Sequence, residues 1–400
     1  MNAVNKDSEK APAAQRLTSL DAYRGLVMFL MLAEALAFAA VARACPESGF
    51  WRFLAGQQTH AAWIGCSLHD LIQPSFSFLV GVVMPFSLAS RAARGLSFAR
   101  MAGHALWRSG ALIMLGVLLR SIGQSRLNWT FEDTLTQIGL GYFFLFLLGF
   151  RSARWQWAAA GLIVAGYWAA FALYPLPPPG FDYTSVGVRP GWPHLMTGFA
   201  AHWNKNSNLG WAFDTWFMNL FPRASQFLFN RGGYVTLSFI PTLGTMILGL
   251  IAGGILRDSR PAYDKVKWLL AAGALGLLAG LALGRLGICP VVKRIWTPSW
   301  VLFSGGWCFV LLAAFYTVVD VWHCKRWAFP LVVIGANSIA AYCLSNVLDF
   351  IPEALGNAGG RNLFAVFGKP YATLVEGGLG LLLLWLLLFW MRRRKLFLRI

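Results

Sequence analysis

The chain has 400 residues, of which 57% are apolar and only 12% charged, a balance that excludes an ordinary soluble globular domain. Its formal charge of +18 would suit a nucleic-acid binder. The basic residues, however, fall in short clusters between apolar runs rather than on one continuous face, which excludes that class and points to the loops of a membrane protein.

Residues 1–16 (MNAVNKDSEKAPAAQR) are polar and lack an apolar core, so no cleavable signal is expected. A spanning helix needs roughly 20 mostly apolar residues. Ten stretches read as such, at 24–43, 70–90, 105–123, 134–150, 155–174, 235–256, 266–284, 299–320, 328–349 and 372–391. With the N-terminus inside, the inside segments hold Lys6, Lys10, Arg16 and Arg24, then Arg91, Arg94 and Arg100, then Arg151 and Arg154. They continue with Arg257, Arg260, Lys265 and Lys267, with Lys325 and Arg326, and with the tail from Arg392 to Arg399. The positive-inside bias is met at each alternation. The expected fold is therefore an all-α, polytopic membrane helix bundle of about ten transmembrane helices with both termini cytoplasmic. Residues 1–400 are expected to form one domain, with 1–18 a polar cytoplasmic tail.

Two outside segments are long, 44–69 and 175–234. The second leaves the membrane through Pro175, Pro177, Pro178 and Pro179 and then turns polar and aromatic. Trp192, Trp203, Trp211 and Trp216 suit either sugar stacking or interfacial anchoring. The six cysteines form no CxxC pair and show no metal-ligand spacing, so no metal site is expected.

Ionisable groups at membrane depth call for a reason. Glu34 falls within the first span, as a polar wall of a substrate cavity or as the structural partner of Arg108 or Arg120. His60 and Asp70 flank the start of the second span. They read as an imidazole and its orienting carboxylate, or as a solvated loop histidine and a helix-start carboxylate. Arg24 follows Asp21 by three residues, which suits an ion pair or an anion contact from the cytoplasm.

Five segments carry a resemblance. These are Arg16 to Leu26 (RLTSLDAYRGL), His60 to Gly81 (HAAWIGCSLHDLIQPSFSFLVG), Thr136-Gln137 with Tyr142-Phe143, Lys293 to Leu302 (KRIWTPSWVL), and Gly335-Ala336-Asn337-Ser338-Ile339 with Tyr342. In this order they resemble the heparan-α-glucosaminide N-acetyltransferase family, membrane acyltransferases of lysosomes and many bacteria. The resemblance implies transfer of an acetyl group from cytoplasmic acetyl-CoA to an amino sugar or glycan on the extracytoplasmic side, without a metal. It maps the family's active-site histidine onto His60, with Asp70 orienting it and Glu34 in the acyl cavity. Arg24, Asn337 and Ser338 are implied as cofactor contacts, the last two lining an acyl channel. His69, His194 and His202 match no family histidine, and His69 and His202 are expected to be dispensable. A bacterial cytoplasmic (inner) membrane and a homodimer are the expected setting.

The chain departs from the pattern at three places. Glu34-Ala35 stands where the family has an asparagine, Gln137-Ile138 where it has Gln-Arg, and Ser345 where it has a histidine. Two other readings remain open: a saccharide or lipid-linked sugar transporter, and an inactive homologue serving as a scaffold.

Overall fold

The computed structural model describes residues 17–348 and 363–398; the polar tail at 1–16, with Lys6, Lys10 and Arg16, and the terminal Arg399 lie outside the described residues. The described chain is helical. In order, the helices are α1 (Thr18–Leu32), α2 (Phe38–Ala44), α3 (Gly49–Gln58), α4 (Ile72–Ala93), α5 (Phe98–Arg120), α6 (Thr134–Leu148) and α7 (Ala153–Leu173). There follow α8 (Leu209–Phe217), α9 (Phe239–Arg257), α10 (Ala262–Arg285), α11 (Pro298–Phe315), α12 (Phe329–Ala336), α13 (Ser338–Leu348) and α14 (Ala372–Arg393).

All ten apolar stretches coincide with helix, and among the described residues eight helical segments are long and apolar enough to cross a membrane. The two exceptions have visible causes. Helix α6 has only 15 residues. The stretch at 328–349 is split into α12 and α13 at Asn337, whose backbone leaves the helical region.

Close helix approach depends on glycine, as expected where lipid supplies no hydrophobic drive between helices. A methyl group at Gly249 or Gly253 of α9 would overlap the carbonyls of Phe78 or Val82 on α4, and one at Gly81 would overlap that of Met246. Gly25 of α1 and Gly335 of α12 meet the backbones of Leu331 and Asp21 in the same way. At the start of α1, Asp320 accepts the free N–H groups of Thr18 and Ser19 at 3.2 and 3.1 Å, a cap supplied from three hundred residues away.

The first span is not one helix. It passes from α1 into a 3-10 turn at Ala33–Leu36, then through Ala37 in the left-handed region (φ 48°), and only then into α2. Backbone groups freed by such a break must find partners at membrane depth. Gln58 at the end of α3 supplies them: its Oε1 accepts from Phe38 N at 3.0 Å and its Nε2 donates to Ala33 O at 2.5 Å. The break turns Glu34 out of the helix, so its side chain is 60% exposed.

The segment between α7 and α9 is folded onto one end of the bundle. Trp203 is fully buried, and its carbonyl accepts from the Trp63 indole at 3.0 Å. That corrects both readings of Trp203, which neither stacks on a ligand nor anchors in lipid. The polar run after it is a set of staples. Asn204 Oδ1 accepts from Met196 N at 2.8 Å while its Nδ2 donates to Met196 O at 2.8 Å, and Asn206 Nδ2 donates to Val186 O and Asn230 O at 2.9 Å. Asp214 on α8 accepts from Thr236 N at 2.9 Å.

Two outcomes follow from this packing. Gly249→Ala is expected to destabilise the purified protein by about 1–3 kcal/mol, since backbone cannot yield as a side chain can. Gly254→Ala, where a methyl meets nothing within 4 Å, should be neutral or stabilising in the same thermal-unfolding assay. Burial pushes the Asp214 carboxyl up to about 7. The folded chain thus holds a proton that the unfolded chain releases near 3.8, so this group favours the fold at low pH and loses that contribution as pH rises to about 7. Asp214→Asn should flatten that part of the pH dependence when unfolding is compared at pH 5 and pH 8, and equal slopes for both proteins would exclude it.

Candidate functional site

His60 sits in the loop between α3 and α4. The loop is pinned by an antiparallel bridge between Ile64 and Val292 and by Gly65 N donating to Val291 O at 3.1 Å. Gly65 has φ 119°, a conformation that requires glycine. The bridge brings the start of the Lys293–Leu302 motif against His60.

That motif has a local logic. Thr297 caps α11 by accepting from Trp300 N at 3.3 Å, and Pro298 opens the helix, where its missing N–H costs nothing. Trp296, in the left-handed region, turns its indole inward to donate to Thr245 at 3.1 Å. Arg294 donates to Gly232 O at 2.7 Å and lies over the Tyr234 ring, tying the α7–α9 segment to the same place. Lys293 is left pointing into the protein, with its side chain 6% exposed.

The charge that receives it is Asp70, 1% exposed. Asp70 Oδ2 accepts from Ala61 N at 3.0 Å, from Ser67 N at 3.0 Å and from the Ser67 hydroxyl at 3.1 Å. Its Oδ1 lies 2.8 Å from His60 Nδ1 and 3.2 Å from Lys293 Nζ. Lys293 Nζ is also 3.1 Å from His60 Nδ1. Both contacts of Nδ1 cannot be hydrogen bonds at once. An ionised carboxylate only accepts, so Nδ1 carries the proton and gives it to Asp70, while the ammonium gives its own to the same carboxylate. This assignment leaves His60 Nε2 with a free lone pair.

Burial holds the His60 imidazole below its ordinary value, and the Lys293 charge adds to that against the opposing bond to Asp70. Burial likewise depresses the Lys293 ammonium, opposed by Asp70. The nearby Cys66 thiol is pushed up to about 12 by burial and by Asp70, so it is neutral and no candidate nucleophile.

His69 occupies a place that the motifs did not reveal. Its ring centroid lies 4.5 Å from that of His60, and its Nε2 is 2.6 Å from Glu34 Oε1. The partner of Glu34 is therefore His69, which corrects the expected pairing with Arg108 or Arg120. Arg108 instead donates to the Tyr142 hydroxyl at 3.2 Å.

Both histidines open on a cavity of about 760 Å³, within the range of small-molecule sites. Its inner walls include Met31, Leu32, Gln73 and Tyr342, and its far walls carry Arg120, Glu132, Asn230 and Tyr234. Burial raises the Glu132 carboxyl, which accepts from the Thr130 hydroxyl. Arg120 has no ion-pair partner among the described residues.

Of the residues expected at the site, the structure gathers His60, Asp70 and Glu34 at one cavity. Arg24 lies at the opposite end of α1, 3.6 Å from Asp21. Asn337 is buried at the α12–α13 break and donates to Leu396 O at 2.9 Å. Neither it nor Ser338 lines the cavity, whereas Tyr342, one turn on, does. Gln137 is a brace: it donates to Phe131 O at 2.7 Å and to Thr236 O at 3.2 Å. Sequence reasoning missed Lys293 and His69. A lysine just before a Thr-Pro helix start was the available signal for the first.

The chain resembles proteins named heparan-α-glucosaminide N-acetyltransferase along most of its length. It is 25% identical to the one from Mus musculus across 87% of this chain and 56% of that protein, and 26% identical to the one from Homo sapiens across 84% and 53%. The chain thus spans about half the length of these curated relatives. No family model matches it.

Removing the Asp70 charge would strand Lys293. Asp70→Asn is expected to destabilise by about 3–5 kcal/mol, and adding Lys293→Met should recover most of that loss. Thermal unfolding of the two single variants and the double variant checks it; additive losses would show that the pair is not coupled.

Proposed function

From a chain that resembles these membrane N-acetyltransferases, we propose an acetyltransferase that moves an acetyl group from acetyl-CoA to the nitrogen of an amino sugar or a glycan bearing one. The observation that carries the proposal is the His60 imidazole, fixed at Nδ1 by buried Asp70 and lining a cavity of about 760 Å³.

His60 Nε2 takes a proton from the acceptor nitrogen as that nitrogen attacks the thioester carbonyl carbon. The new C–N bond forms, the C–S bond breaks, and the thiolate leaves with the electron pair. Asp70 stabilises the imidazolium, and Lys293 keeps the carboxylate from becoming a net negative charge in a poorly solvated place. The depressed imidazole is neutral at pH 7 and ready as a base. The rate should fall on the acid side below the ordinary imidazole midpoint of about 6.5.

We assign the cavity to the extracytoplasmic side and the basic loops to the cytoplasm, on the charge bias of the loops. On that reading residues 175–234 cover the acceptor entrance and Arg24 meets the CoA phosphates from within. Asn337 and Ser338, at the helix break below Tyr342, line the way of the pantetheine arm. The buried Asn337 Oδ1 has no partner among the described residues, which suits a passing amide N–H.

The test is His60→Ala in lipid nanodiscs with acetyl-CoA and a panel of amino sugars. Transfer should fall by about 10²–10⁴-fold while acetyl-CoA affinity stays within twofold. Normal transfer by this variant would overturn the assignment, and an acetyl adduct on His60 without acceptor would make it a carrier rather than a base.

A further inference from the structure

Acetyl transfer from a thioester to an amine involves two protons. One leaves nitrogen and must be taken; one must arrive at the departing sulfur. The His60–Asp70 pair accounts for the first. Glu34 and His69 form a second carboxylate–imidazole pair at the same cavity, with Nε2 and Oε1 2.6 Å apart. His69 is 7% exposed while Glu34 is 60% exposed, so the carboxylate is the face that the pair presents to the cavity. Resting on the acetyltransferase reading, we propose that Glu34–His69 is the acid that protonates the leaving thiolate, and that its protonation alternates with that of His60.

The alternation follows from spacing. The two rings are 4.5 Å apart, and Lys293 Nζ is 3.1 Å from His60 Nδ1. Protonated His60 and His69 beside the Lys293 ammonium would set three cations together against the Asp70 and Glu34 carboxylates that touch them, with Glu132 and Asp133 on the other cavity walls, and like charges at such separations oppose each other's protonation. A proton arriving at His60 therefore drives one off the neighbouring pair. In its acid form the pair holds one exchangeable proton between His69 Nε2 and Glu34 Oε1, and passes it through Glu34 to sulfur, which leaves a carboxylate beside a neutral imidazole. The thiolate becomes a thiol, His60 ends protonated and His69 neutral, and exchange with cavity water resets both before the next cycle.

The charged and titratable groups facing the pair come from every surrounding element. Asp70 and Lys293 form their own ion pair, and Cys66 stays neutral with its thiol pushed up to about 12. Tyr342, Arg120 and Glu132 stand on the other cavity walls. Glu34 and His69 are thus each other's nearest proton partners. The pair also gives a chemical meaning to a departure from the family pattern, since the amide expected near residue 34 could hold no proton to donate.

The experiment compares two donors in nanodiscs: acetyl-CoA, whose alkyl thiolate needs a proton to leave, and an acetyl aryl thioester, whose thiolate does not. Glu34→Gln and His69→Gln should lose about 10²-fold or more with acetyl-CoA and less than fivefold with the aryl thioester, whereas His60→Ala should fail with both. Equal losses with the two donors, at unchanged melting temperature, would make the pair structural and overturn the proposal.

A second measurement needs no turnover. The His60 ring resonances, followed by NMR against pH, should titrate in two steps in the native chain and in one step in His69→Gln. One step in both proteins overturns the alternation. Two steps in a native protein that acetylates no amine from either donor would support the coupled pair and overturn the acetyltransferase reading instead.

Discussion

The site is organised around a buried carboxylate that accepts from two backbone N–H groups, a hydroxyl, an imidazole and an ammonium. An isolated charge at this depth would be costly enough to neutralise itself or unfold the segment. Asp70 avoids both because its donors come from two separate stretches of chain. The loop before α4 gives Ala61 and Ser67, the same loop returns His60, and the segment before α11 gives Lys293. The carboxylate is therefore a fold constraint and a chemical one together. The loops cannot part without stranding a charge, and the imidazole cannot turn without losing its tautomer.

The broken helices answer to the same economy of polar groups. A straight first span would aim residue 34 along a helix face. The 3-10 turn and the left-handed Ala37 swing it into the cavity instead, and Gln58 takes up the backbone groups released by the turn. The break at Asn337 is handled similarly, with the amide satisfying Leu396 O. Irregular backbone at membrane depth is tolerated where it is enclosed by protein or lines a polar space, and the first of these breaks borders the cavity.

Much of the architecture was legible because lipid imposes one rule on every residue of a span. Apolar runs therefore marked each spanning segment but not the short α3 and α8, nor whether a run such as 134–148 would be long enough or one such as 328–349 would stay straight. His60 and Asp70 were legible as a pair from a motif. Lys293 was quoted within a motif yet not given a role, because its partner lies 223 residues away and contacts such as the Ile64–Val292 bridge, which sequence does not announce, bring the two segments together. His69 was set aside for matching no family histidine. Its meaning depends on Glu34, and that pairing arises from a backbone break that no propensity announces. Trp203 failed as a ligand platform for the opposite reason: tryptophan suits burial, interface and sugar alike, and composition does not choose among them.

On the proposed acetyltransferase reading, the charge pattern of the cavity also bears on which acceptors it would admit. Glu34, Glu132 and Asp133 line it, against Arg120 and a Lys293 already matched by Asp70. Asp133 is occupied as the cap of α6, accepting from Leu135 N and Thr136 N at 2.9 and 3.2 Å. Burial raises the Glu132 carboxyl above its ordinary value. The exposed carboxylate is then Glu34, beside the two imidazoles. On the acetyltransferase reading, an amine acceptor that arrives as an ammonium is no nucleophile. The base that frees its lone pair must itself be uncharged, and the imidazole meeting that condition is the one kept below its ordinary value by burial and by Lys293. On this argument Lys293 has two effects that pull apart. It steadies the Asp70 carboxylate that orients His60, and it discourages His60 from holding the proton it takes, so that the base is regenerated rather than trapped.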